Sequence, residues 1–446
     1  MDRGLFFTFL VIVLYFSLEA FAHRQNLRKV PRRIAVFGIR GKSSITRLIA
    51  SGLREAGFKV LAKTTGSRPV IIYPDGREKE IRRRGRPTIL EQKNLVKEAA
   101  KEGVDFLVAE MMSIQPECLR VESQQLLKPQ MLVLSNIRPD HIDFLGRNRK
   151  EIAISLASAF LQRSCVFIPE EEASTEIEKL AQRAGSDLVK IGQNSFSEEL
   201  LSFLPYPEFE PNLRLAIAVL KELGLCEEKI KSGLTRVKPD YGCLRIWKKY
   251  FNGGRGFFYF VSLFAANDPQ STEEAMEMII KKMGWERRLM AGLVALREDR
   301  GDRTQQWLDY FLEKRSEENG NIIKNYLDLI TFVGPGKEFI FRKLRKSQLW
   351  SRKLVWLREG KNPEKCFNQI ISFLLEEKHS DLLSDSAFST DSSSFSPSFP
   401  HPALAENEHL IKYPSSPVVI FGLGNIVGYG QQIIDYLEKT ADAIKL

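Results

Sequence analysis

Residues 32–44 read Arg-Arg-Ile-Ala-Val-Phe-Gly-Ile-Arg-Gly-Lys-Ser-Ser. The apolar run that ends at Phe37 predicts a short buried strand, and Gly38 and Gly41 break it. Ile45, Leu48, Ile49 and Leu53 then recur at helical spacing and stop before Gly57. Strand, glycine turn and helix N-terminus in that order make an anion site. The backbone amides from Gly38 through Arg40 and Gly41 to Ser44 can face a phosphate, and Lys42 adds a point charge. The Ser43 hydroxyl is placed to reach a Mg²⁺ on the β- and γ-phosphates of a nucleotide such as ATP. The motif is the short form G-x-x-G-K-S, because Val36 stands where the longer phosphate loop needs glycine.

Outward from the loop, the chain has 446 residues, with 66 Lys+Arg against 56 Asp+Glu and a formal net charge of +10. With 43% hydrophobic and 27% charged residues it is neither a disordered chain, a collagen-like fibre nor a polytopic membrane protein. Its length predicts about two to three domains. The five cysteines are scattered and never form C-x-x-C, which fits a reducing compartment and predicts neither a disulfide framework nor a zinc site. Residues 4–18 carry no charge, and a helix over 4–22 would be about 28 Å long, close to the thickness of a bilayer core. Ala20-Phe21-Ala22 has the form of a signal-peptidase site. Against cleavage, Arg24, Arg28, Lys29, Arg32 and Arg33 follow at once, and such a flank stays on the cytoplasmic side. The expectation is a single-pass anchor over 1–30 in the cell membrane with a cytoplasmic body.

From 31 to 245, short apolar strands alternate with amphipathic helices, predicting a doubly wound parallel sheet. A second, smaller Rossmann-like α/β domain is expected over 246–446, with strands at 259–266, 289–296, 330–333, 354–357 and 418–422. Residues 380–402 are Ser/Pro-rich and predict a disordered insertion.

The loop resembles the G-x-x-G-K-[ST] of the Mur ligase superfamily. Several further stretches resemble one branch, the poly-γ-glutamate synthase catalytic subunits of the PgsB/CapB type: KTTG (63–66), AEMMS (109–113), NIRPDHIDFLG (136–146), PDYGCLRI (239–246), FAANDPQST (264–272), LREDRGDRTQQ (296–306) and FGLGNIVG (421–428). The sequence departs from that family at Val427, where the family has histidine, and at Leu296, where it has cysteine. Only about 35 residues precede the loop, mostly anchor, so a UDP-muramyl substrate is not expected.

The resemblance implies an ATP-dependent amide ligase that works with Mg²⁺, extends poly-γ-glutamate with glutamate, and associates with small membrane subunits. It implies that Glu110, at the end of an apolar run, helps hold Mg²⁺, and that His141 takes part in binding a second one. Thr64 and Thr65 would lie near the γ-phosphate, Arg245 would reach the nucleotide phosphates from the linker, and Asn267 with Asp268 would meet the ribose or active site. Asn212 reads as a helix N-cap or as the adenine-contacting asparagine. Arg297, Arg300 and Arg303, interleaved with Asp299 and Asp302, read as an exposed salt-bridged turn or as a carboxylate-binding fork. The run Arg82-Arg83-Arg84-Gly85-Arg86 is either a solvated face or a contact for a polyanionic product, and nothing resembles a nucleic-acid reader. Two rival functions are the same chemistry on another acceptor, such as a folate or another amino acid, and a membrane-bound nucleotide-binding scaffold.

Overall fold

A computed structural model gives the architecture; the structure describes residues 3–444 apart from 67, 84, 86, 139–144, 147, 194–197, 252–255, 265, 267, 287, 299–300, 313–321, 348–352, 358–361 and 385–416. The chain divides into two compact units, Met1–Cys243 and Leu244–Lys445, two residues before the boundary expected at 245.

The first unit opens with helix α1 (Arg3–Lys29), which runs seven residues beyond the expected Ala22 and carries the basic flank as helix. It is long and apolar enough to cross a membrane, with a mean hydropathy of 2.2. Its far end is docked on the body: Glu19 pairs with Lys93, and the His23 Nε2 donates to the Leu126 carbonyl at 3.0 Å.

Behind it follow β1 (Arg32–Phe37), α2 (Lys42–Glu55), β2 (Val60–Thr64), β3 (Val70–Ile72), β4 (Glu78–Glu80), α3 (Glu91–Glu102), β5 (Phe106–Glu110), β6 (Met131–Leu134), β7 (Cys165–Pro169) and β8 (Asp187–Ile191). They form one eight-stranded sheet in the order β4-β3-β2-β5-β1-β6-β7-β8. From β2 to β8 the pairings are parallel, and β3 and β4 add an antiparallel edge that the wholly parallel expectation lacked. Because side chains alternate across a strand, Ile34 and Val36 pack on one face with α2, while Ala35 and Phe37 pack on the other with α3. β1 lies between β5 and β6, so the chain reverses its winding there, and ligands of such sheets settle at the carboxyl ends beside that reversal.

In the second unit β9 (Arg245–Phe251), β10 (Gly256–Ser262), β11 (Met290–Ala295), β12 (Leu329–Val333), β13 (Val418–Gly424) and β14 (Asp442–Ile444) form a sheet ordered β12-β11-β13-β10-β9-β14. β9 and β14 are antiparallel additions outside the expected set. The strand expected at 354–357 reduces to a single bridge from Leu354 to Ile330. Residues 380–384 continue the helix Pro363–Ser384, correcting the start of the expected insertion; the rest of 380–402 lies outside the described residues.

Candidate active site

β1, β2 and β5 are neighbours, and Val36 and Glu110 are direct partners in the ladder. Their ends therefore bring the glycine loop, the Thr64–Gly66 turn and Glu110 together. Gly41 caps α2 in the left-handed conformation at φ +79°, and a Cβ there would run into the Asn212 side-chain amide. Only glycine satisfies both demands. The loop is held from β6: the Asn136 Nδ2 donates to the Arg40 carbonyl, and its Oδ1 accepts from the Arg40 amide, each at 3.1 Å. Lys42 folds over the loop, its Nζ donating to the Gly38 carbonyl at 3.0 Å and to that of Ile39 at 3.2 Å.

Glu110 is 3% exposed, and its Oε2 accepts from the Ser43 hydroxyl and from the Thr65 amide, both at 2.7 Å. The strand end is fixed by Gln92, which donates to the Glu110 carbonyl at 3.0 Å and is itself bonded to the buried Glu122. Thr64 is fully buried and its hydroxyl has no hydrogen-bond partner among the described residues.

Across the turn lies Asp240, in the PDYGCLRI stretch, which no local pattern marks as a site residue. A Cβ on Gly66 would stand 2.8 Å from the Ser43 Oγ and 3.0 Å from the Asp240 Oδ2. Burial raises the Asp240 carboxyl above its ordinary value; Arg47, whose Nε lies 3.5 Å away, opposes that shift, and the charge of Glu110 adds to it. One hydroxyl and two carboxylates thus converge on the turn. This oxygen-only donor set suits Mg²⁺, which takes one or two carboxylates and completes its shell with water and phosphate oxygens. Among the described residues no three acidic, histidine or cysteine side chains gather as a metal group. His141, with Asp140 and Asp143, lies outside the described residues.

Asn212 is not the N-cap of its helix. That position belongs to Phe209, and Asn212 is the third residue of the helix Glu210–Glu222. Its Nδ2 donates to the Glu208 Oε1 at 2.9 Å. Desolvation raises the Glu208 carboxyl against hydrogen bonds from Asn212, the Phe209 amide and Ser44. Ser44, Glu208 and Asn212 therefore form a polar cluster under the loop, and no local pattern announced the glutamate.

The arginine-rich run 82–86 divides. Arg83 donates to Glu91 at 2.7 Å, and Glu91 also meets the buried Lys63 at 3.1 Å, so Arg83 is a structural ion pair rather than a solvated face. Burial pushes the Lys63 ammonium down and Glu91 counters it. Arg84 and Arg86 are outside the described residues.

In the second unit, β11, β13 and β10 are adjacent and their carboxyl ends collect another set. Asp268 caps the helix Pro269–Met283, accepting from the Ser271 amide at 2.9 Å. Arg303 donates to the Asn425 Oδ1 at 3.3 Å; the Asn425 side chain is buried, and its Nδ2 has no hydrogen-bond partner among the described residues. Arg297 is half-buried just past the end of β11, while Asn267, Asp299 and Arg300 are outside the described residues. Arg245 opens β9, pairs with Glu438 at 2.6 Å and lies over the Trp247 ring.

Comparison with known proteins agrees with this geometry. The Mur ligase middle domain profile matches residues 36–215, and the profile of the poly-gamma-glutamate synthase CapB C-terminal domain matches residues 248–383. The chain is 32% identical to the capsule biosynthesis protein CapB of Bacillus anthracis over 298 residues, which is 66% of this chain and 64% of that protein. It is 32% identical to the PGA synthase CapB of Bacillus subtilis over 299 residues, 67% of this chain and 75% of that one. In fold it is similar to a bifunctional folylpolyglutamate synthase/dihydrofolate synthase of Yersinia pestis complexed with AMPPNP and a Mn ion, with a TM-score of 0.58 and 14% identity over 94% of this chain and 91% of that one. With a phosphate loop at the reversal of a Mur-type sheet and two thirds of its length aligned to such relatives, the chain belongs to the poly-γ-glutamate synthase CapB family of the Mur ligases.

Proposed function

We propose that this protein is an ATP-dependent ligase that forms γ-glutamyl amide bonds and elongates poly-γ-glutamate at the cytoplasmic face of the cell membrane. The observation that carries this reading is the meeting of Ser43, Glu110 and the Thr65 amide at the carboxyl end of β1 and β5.

Amide formation from a carboxylate and an amine needs the carboxylate activated. A carboxylate oxygen of the acceptor attacks the γ-phosphorus of ATP, the bond to the bridging oxygen breaks, and ADP leaves an acyl phosphate. The amine of glutamate then attacks the acyl carbon, phosphate departs and the amine loses its proton. Several negative groups crowd together in the first step, so preorganised positive charge and amide dipoles supply most of the rate. The loop amides and Lys42 are suited to the triphosphate, with Lys42 leaving its carbonyl contacts as the phosphates arrive. Ser43, Glu110 and Asp240 would hold Mg²⁺, which would supply positive charge to offset that of the triphosphate. His141 is assigned to a second Mg²⁺ by family resemblance. Asn212 is assigned to the adenine, Arg245 and Asp268 to the nucleotide. Arg297, Arg300 and Arg303 with Asn267 are assigned to the incoming carboxylates, because arginine forks bind carboxylates bidentately. α1 is assigned as a single-pass anchor, with small membrane subunits as its partners.

The test is phosphate release by the purified protein with ATP, Mg²⁺ and poly-γ-glutamate. Release that rises on adding glutamate supports the ligase; release indifferent to every amino acid and folate removes it. A Lys42→Ala protein that still supports polymer formation in cells would instead favour a nucleotide-binding scaffold.

A further inference from the structure

A cleft of about 440 Å³ opens beside the outer face of α2, between the hairpin of β3 and β4 and residues 236–238. Its lining includes five cationic residues, Arg47, Arg54, Arg77, Arg236 and Lys238, against three carboxylates. Each carboxylate is already engaged: Glu78 with Arg47 at 2.7 Å, Asp75 with Arg77 at 2.5 Å, and Glu55 with Arg236 at 2.9 Å. Two cations remain without a carboxylate partner among the described residues. The Lys238 Nζ donates to the Gly76 carbonyl at 3.4 Å. The Arg54 Nη1 is buried with no hydrogen-bond partner among the described residues, and burial together with neighbouring Arg47 pushes its guanidinium down against the opposing charges of Glu55 and Glu78. An anion in the cleft would relieve both effects.

The cleft shares a wall with the site described above. Arg47 lines it and also faces Asp240, which stands across the Gly66 turn from Ser43. We propose that this cleft binds the acceptor chain behind the end being activated, its arginines and Lys238 taking the α-carboxylates of the preceding γ-linked glutamates. The inference rests on the ligase reading, because only a growing acceptor would carry a carboxylate on every residue while its terminal carboxylate lies at the nucleotide. Lys42 and Ser43 serve the nucleotide; Arg54 and Lys238 serve the polymer.

The experiment uses the full chain in detergent, free of nucleotide, and a fluorescent γ-linked tetraglutamate followed by anisotropy. The protein binds the oligomer at low salt, and the double variant Arg54→Gln with Lys238→Ala loses at least about tenfold in affinity, as expected when two charge-assisted contacts go. ADP binds both proteins equally. Equal oligomer affinity in the two proteins overturns the proposal, as does no binding by the unmodified chain. Displacement of the oligomer by inorganic phosphate at equal concentration also overturns it, because the cleft would then read phosphate. Where thermal melting shows the double variant unfolded, Lys238→Ala alone decides, since Lys238 is exposed. Failure here leaves glutamate-dependent phosphate release intact, and failure of that release leaves oligomer binding measurable, so the two readings fall separately.

Discussion

The Ser43 hydroxyl donates to the Glu110 carboxylate at 2.7 Å across 67 residues of sequence. One residue lies in the first turn of the helix after β1, the other ends β5, and the adjacency of those strands lets them meet. The same Glu110 oxygen accepts the Thr65 amide, so three strand ends share one anionic centre.

Replacing that centre tests its role. Glu110→Gln keeps the shape but removes the charge that would hold a divalent cation, and glutamate-dependent phosphate release should fall by about a hundredfold or more. Nucleotide binding without Mg²⁺ should survive. Wild-type turnover in this variant would take Glu110 out of the chemistry.

The glycine loop is a second point of attack. Gly41→Ala places a side chain at φ +79° against the Asn212 amide, so it should lose about 1–2 kcal/mol of stability from backbone strain alone, and nucleotide binding with it. Gly103→Ala is the control: its φ is +61°, but the space around it is open. It should show the strain in denaturant unfolding and keep its nucleotide.

Asp240 sets activity against stability. Its folded carboxyl lies above the ordinary value because it is buried, so the folded state holds this proton more tightly than the unfolded chain. Its contribution to stability therefore falls as pH climbs from the ordinary carboxyl range, near 3.8, through the folded value. Asp240→Asn should melt at or above the wild-type temperature at pH 7, with the gap closing toward pH 4, while ligation drops. A variant melting well below wild type at pH 7 would show that the Arg47 pair outweighs burial.

Thiol chemistry gives an independent check of packing. Burial pushes the Cys366 thiol up to about 12, beside the Tyr429 hydroxyl, whereas Cys226 is exposed. Brief alkylation of the native protein at pH 8 should label Cys226 and spare Cys366 until denaturant is added, as mass spectrometry of the peptides can read. Early labelling of Cys366 would contradict the packing of the helix Pro363–Ser384.

Much of the first unit was legible in the residues themselves. The run into Gly38 and the spacing of Ile45, Leu48 and Leu53 dictate strand, turn and helix, because those preferences act over a few residues. The α2 helix ends at Glu55, just short of the Gly57 stop. β9 escaped because Lys248 and Lys249 interrupt its apolar alternation, and it persists by pairing with β10 and β14. Asn212 looked like a cap because its place in the helix depends on where Pro211 lets the first turn begin.

The sequence alone therefore determined a phosphate loop, an apolar N-terminal helix and two α/β units, since each is written in local pattern. Only the tertiary structure decided that β5 enters between β2 and β1, that Asp240 closes on the turn from the end of the first unit, and that Asn136 and Glu208 brace the loop. Strand order and the convergence of charges from distant segments depend on the free energy of the whole packed unit, which no short window of residues contains.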